Sequence, residues 1–101
     1  MHTIEETARI GWEAYRETDP RAPKWEDARV ETRSGYVKLA QEVTEWRKQF
    51  DHGGDEFAKQ VFFAACVEWN GTRDELWLAT PEPYKATLKQ VLKRMLRATR
   101  P

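Results

Sequence analysis

Cysteine is nearly missing from this 101-residue chain. Cys66 stands alone, so no intramolecular disulfide and no cysteine-rich zinc site can form, and a reducing compartment is expected. Long apolar runs are missing too. None approaches the ~18 to 20 residues of a membrane span, and the N-terminus carries acids where a secretory signal would be apolar. The expected location is the cytoplasm, with no membrane partner. Excess charge of either sign is absent, with 17 basic against 17 acidic residues, which removes any global attraction to nucleic acid. No segment shows convincing strand alternation.

What is present suits one helical domain spanning residues 1–101. A chain of this length buries about 65% of the surface it exposes when unfolded, enough for one core. Apolar residues make up 40%, including five Trp, four Phe and three Tyr. The 34% charged content exceeds the roughly 25% of ordinary domains, as expected for helices with heavily solvated outer faces.

Four helices are expected. Thr3 and Glu6 form a capping-box pair, and Ile4, Ala8, Trp12 and Tyr15 then give one apolar face that ends near Thr18, before Asp19-Pro20. A second helix runs from Asp27 to about residue 50 through Tyr36, Leu39, Ala40, Val43, Trp46 and Phe50. It would be the longest, with Ser34-Gly35 the place for a kink, a break or a close crossing. His52-Gly53-Gly54 stops it, and Asp55 can cap the third. Nearly every residue from Val61 to Val67 is apolar, which reads as a central, buried helix ending at Asn70-Gly71. Thr80-Pro81-Glu82 opens the last, whose stripe is Tyr84, Leu88, Val91, Leu92, Met95 and Leu96. Phe62 and Leu92 are the expected core residues. The fold class is thus an all-α compact bundle of about four helices.

Shifting the halves by 52 residues aligns Trp25 with Trp77, Ala28 with Thr80, Arg33 with Lys85, Leu39 with Val91, and Val43 with Met95. Two related helical hairpins would produce this agreement, and so would any two amphipathic hairpins slid together.

Catalytic and metal-binding patterns do not occur. His2 lies near a terminus and His52 in a glycine loop, neither with a second His or Cys three or four residues away, and Glu-x-x-His, HExxH and Cys/His zinc spacings are missing. Cys66, inside an apolar helix, reads as a small core residue. Gly53-Gly54 lacks the Gly-Lys-Ser/Thr end of a phosphate loop. Glu42 and Glu45, one turn apart, have no second pair opposite and read as a solvated face. The expectation is a non-enzyme with no metal and no cofactor.

Two features remain as candidate binding residues. Residues 85–101 carry six Lys/Arg and no acid, whereas residues 1–51 carry nine basic and eleven acidic groups. Lys85, Lys89, Lys93 and Arg97 recur at four-residue steps and would line one stripe, which is the case for nucleic acid. The start of that helix lacks the Asn, Gln, Arg or Ser that read base edges. The tryptophans are the second feature, since Trp and Tyr are enriched at binding hot spots. Trp12 and Trp46 fit core faces, and Trp25 and Trp77 would pin loops. Trp69, beside Asn70-Gly71, is the one expected to be partly exposed.

The run Trp77-Leu78-Ala79-Thr80-Pro81-Glu82-Pro83-Tyr84-Lys85 resembles a W-x-x-x-P-x-x-x-[Lys/Arg] signature of small helical proteins from phages and their actinobacterial hosts. Ala8-Arg9-Ile10-Gly11-Trp12-Glu13-Ala14-Tyr15 is similar to the helix that often precedes it. Trp25 departs from the pattern, with Arg29 where the proline would stand. The resemblance implies a phage accessory protein acting on a host protein in the host cytoplasm, with no catalytic residues to carry over. The alternative is a small helical nucleic-acid-binding regulator using the basic last helix.

Overall fold

A computed structural model describes residues 2–50, 54–66 and 68–100. Those residues form five α-helices and one 3-10 turn, with no strand among them: α1 Ile4–Thr18, the turn Trp25–Asp27, α2 Val30–Trp46, α3 Asp55–Ala65, α4 Arg73–Ala79 and α5 Glu82–Ala98. The all-helical class stands, with one more helix than expected.

The start of α1 is set by side chains that satisfy backbone donors. The Glu6 amide donates to Thr3 Oγ1 at 3.1 Å, and the Thr3 amide donates to Glu6 Oε1 at 2.8 Å. The buried face of α1 holds Thr7, Ala8, Gly11, Trp12 and Ala14. Gly11 is needed for close approach: a Cβ there would collide with Met95 Cε and sit 3.0 Å from Met95 Cγ. Trp12 Nε1 donates to the Pro23 carbonyl at 2.9 Å, tying the proline loop to the helix.

The second helix is shorter than its apolar pattern. Trp25–Asp27 winds as a separate 3-10 turn, and Arg29 is extended before Val30 begins α2. Ser34-Gly35 neither breaks α2 nor brings another element close, because a Cβ at Gly35 meets nothing within 4 Å. At 17 residues, α2 matches α5 rather than exceeding it. Of the expected stop signal, His52 and Gly53 lie outside the described residues. Gly54, at φ +92°, stands before Asp55 in the left-handed region that favours glycine.

The third helix corrects the reading most. It ends at Ala65, before Asn70-Gly71, and only Phe57, Ala58 and Val61 are buried. Phe62 is half-buried against the core rather than inside it. The reason is position: α3 packs mainly on α2 and α4, and its other side stays open. The unexpected α4 starts with a second capping box, Thr72 with Glu75, a pattern identical to Thr3 with Glu6.

All five apolar residues of α5 from Leu88 to Leu96 are buried, Leu92 at 1% exposure, whereas Tyr84 is not. Together with Ala8, Trp12, Ala40, Val43, Phe57, Val61 and the indoles of Trp25 and Trp77 they form one cluster. The helix bounds repeat at the 52-residue offset: Val30 corresponds to Glu82 and Trp46 to Ala98. The residues before them, Arg29 and Pro81, share extended backbone angles. Arg47 Nη1 donates to the Thr99 carbonyl across the same offset at 2.5 Å.

Candidate functional site

The basic row of α5 does not survive as a stripe. Lys85 is 6% exposed, its Nζ 3.2 Å from Glu82 Oε1 and 5.2 Å from the centre of the Trp77 ring. A lysine stem buried over an indole is a packing element with a charged tip. Lys89 pairs with Asp55 at the start of α3, at 2.9 Å, and the ammonium holds the Asp55 carboxyl below its usual range. Lys93 and Arg97 are exposed and make no ion pair among the described residues. The neighbouring Arg94 meets Glu17 of α1 through two hydrogen bonds of 3.0 and 2.9 Å. Among the described residues two cations of the predicted row of four thus remain unpaired.

Trp69 keeps part of its ring in solvent, as expected, but its indole is engaged. Nε1 donates to the Thr72 carbonyl at 3.0 Å, so the ring staples the loop that leads into the α4 capping box. Trp12, Trp25 and Trp77 are buried, and Trp46 is half-buried with its Nε1 donating to Glu42 at 3.2 Å. Glu42 also pairs with Lys38 and is largely covered, its side chain 16% exposed, so of the two expected to form a solvated face only Glu45 is exposed.

The signature segment sorts into anchors and display. Trp77, Thr80 and Lys85 are buried, and Thr80 Oγ1 donates to the Leu76 carbonyl at 2.7 Å. Between these anchors Leu78, Ala79, Pro81, Glu82, Pro83 and Tyr84 are all exposed, and Glu82 is the single charge among them. Leu78 is 80% exposed, more than either other large exposed apolar side chain, Val30 and Tyr84. An apolar corner is therefore held outward where α4 meets α5. In the sequence this run reads as a loop anchor, Trp77, followed by a helix start. Its alternation of anchors with exposed apolar residues was the available signal.

Beside that corner an apolar cavity of about 310 Å³ opens between α1, α2, α3 and α5. Tyr36, Leu39, Phe62, Cys66, Tyr84 and Leu88 line it, and none of its lining residues is charged. Aromatic contacts fix its walls: Phe62 lies 5.7 Å from Tyr84 and Tyr36 5.2 Å edge-on to Trp12, measured between ring centres. Burial pushes the Tyr36 hydroxyl well above its ordinary value, and Tyr84 is raised for the same reason. Neither hydroxyl has a hydrogen-bond partner among the described residues, and neither is sealed off from solvent. Cys66, expected inside a helix, instead ends α3 and faces this cavity half-buried.

Among the described residues, no three His, Cys, Asp or Glu side chains gather as a metal site. His2 is exposed with its Nδ1 3.8 Å from Glu6, and His52 lies outside the described residues. No described helix is long and apolar enough to cross a membrane. Comparison with protein-family models, curated proteins and solved structures found no match.

Proposed function

We propose that this chain is a non-enzymatic accessory protein that works by binding another protein through the α4–α5 corner. The observation that carries the reading is the set of exposed side chains Leu78, Ala79, Pro81, Pro83 and Tyr84, with Glu82 the one charge among them, held in place by buried Trp77, Thr80 and Lys85. Rigid, exposed apolar groups lose little conformational freedom on docking, and contiguous patches of this kind mark interaction sites. Trp69, partly in solvent, is a second contact in this reading. The resemblance of Trp77–Lys85 to the phage signature adds the finer proposal, a phage-type protein acting on a host protein in the host cytoplasm. The two halves are read as related hairpins on the strength of their shared helix bounds.

The nucleic-acid alternative rests on Lys93 and Arg97, the two cations of the row left without an ion pair among the described residues. Two phosphate contacts support only weak, salt-sensitive binding. Affinity capture from a candidate host lysate by wild type, Leu78→Asp and the double Lys93→Gln/Arg97→Gln variant separates the readings, with circular dichroism confirming each fold. A partner kept by the double variant and weakened about tenfold or more by Leu78→Asp is expected. Tight DNA or RNA binding that collapses with salt and with the double variant would replace the protein-binding reading.

A further inference from the structure

We infer that the cavity between α1, α2, α3 and α5 binds a small, neutral, chiefly apolar molecule, about two fused rings in size, carrying one hydrogen-bond acceptor. The inference stands apart from the protein-binding corner, although Tyr84 borders both.

Size comes first. At about 310 Å³ the space lies at the lower end of ligand pockets, and it is roughly twice the ~150 Å³ engineered cavity that takes up benzene. Charge comes second. Among the described residues no Asp, Glu, Lys, Arg or His lines the walls, so an ion entering would lose hydration with no opposite charge from them to replace it. Polar capacity comes third. Tyr36 and Tyr84 bring two hydroxyls that bond nothing among the described residues, while Thr87 already donates to the Pro83 carbonyl at 3.2 Å. Both phenols stay protonated around neutrality because burial disfavours the phenolate, so they are available as donors. A neutral ligand with a carbonyl or ether oxygen matches that set, and Leu39, Phe62, Leu88 and Val91 cover its apolar body.

Gly35 offers a clean way to close the cavity. It lines the space, and a Cβ there meets nothing within 4 Å, so Gly35→Phe fills the cavity while removing a weak helix former from α2. The neutral fluorophore N-phenyl-1-naphthylamine is the probe, titrated against the full chain. Saturable one-to-one binding is expected, about tenfold or more tighter than that of anionic 1-anilinonaphthalene-8-sulfonate. Gly35→Phe should abolish it without changing the circular dichroism, and Ala65→Phe, from the α3 wall, supplies the same test should the first variant misfold. Leu78→Asp should leave probe binding unchanged, so failure here is separable from failure of the protein-binding reading. In competition, 2-acetylnaphthalene should displace the probe about threefold better than 2-ethylnaphthalene, a preference lost in Tyr36→Phe/Tyr84→Phe. Absence of saturable binding, equal affinity for the anion, or binding that survives a folded cavity-filling variant would each overturn the inference. An equal response to the ketone and the hydrocarbon would remove the acceptor from it.

Discussion

The two halves of the molecule place similar helices at a constant offset and then use them differently. In the first half α2 supplies only Ala40 and Val43 to the fully buried set, and at the matching positions α5 supplies Leu92 and Met95. One long helix provides bulk where the other provides room. The short elements differ as well: α4 carries a Thr72–Glu75 capping box, whereas the 3-10 turn at Trp25 has no side-chain cap. The first helices diverge most. Gly11 lets α1 press onto α5 at Met95, but its counterpart Phe63 is half-buried on α3, which has less contact with α5 and leaves the apolar cavity open. Similar bounds therefore coexist with one closed side and one open side.

Removing bulk from α5 should have the largest effect. Leu92→Ala is expected to cost about 2 to 5 kcal/mol in urea unfolding, and Phe62→Ala on the open side distinctly less. Equal losses would mean that α3 is as enclosed as α5. Filling the room in α1 comes next: Gly11→Val should cost about 1 to 3 kcal/mol through overpacking against Met95, with part of the loss recovered in Gly11→Val/Met95→Ala. Strict additivity of the two changes would sever the proposed contact. Thr72→Ala should cost about 1 kcal/mol by uncapping α4, whereas Lys24→Ala before the uncapped 3-10 turn should be near neutral.

The smallest contrast is one of pH. Tyr36 on α2 faces Leu88 on α5 in the alignment of halves, and only the tyrosine titrates. Its raised pKa means the folded state holds the proton more tightly than the unfolded chain does. The stabilisation is therefore complete below the ordinary value of 10.0 and lost progressively as pH rises beyond it. Urea midpoints should fall above pH 10.0 in wild type and fall less in Tyr36→Phe; parallel curves would contradict the burial argument.

Much of this organisation is legible in local sequence because its causes act within one turn. Thr3–Glu6, the Asp19-Pro20 stop, the Pro81 start and the α5 stripe all depend on neighbours three or four residues away. The α4 start was legible too: Thr72-x-x-Glu75 repeats the Thr3-x-x-Glu6 pattern, but the segment is too short for a periodic stripe to draw attention to it. The apolar run of α3 was misleading for the opposite reason, since hydrophobicity records what can be buried and not how many neighbours arrive to bury it.

The candidate sites depend on what the chain brings together from far away. Lys89 finds Asp55 34 positions upstream and Arg94 finds Glu17 77 positions upstream, so two cations of a segment with no acids of its own are paired by distant carboxylates. Lys85 lies buried over the ring of Trp77, eight positions upstream. The cavity draws walls from four helices, and its ring contacts reach from Trp12 to Tyr36 and from Phe62 to Tyr84. Capping and periodicity are local energies and can be read along a chain. Ion pairing, burial and empty space are properties of juxtaposed surfaces, and they come into being only when the helices pack.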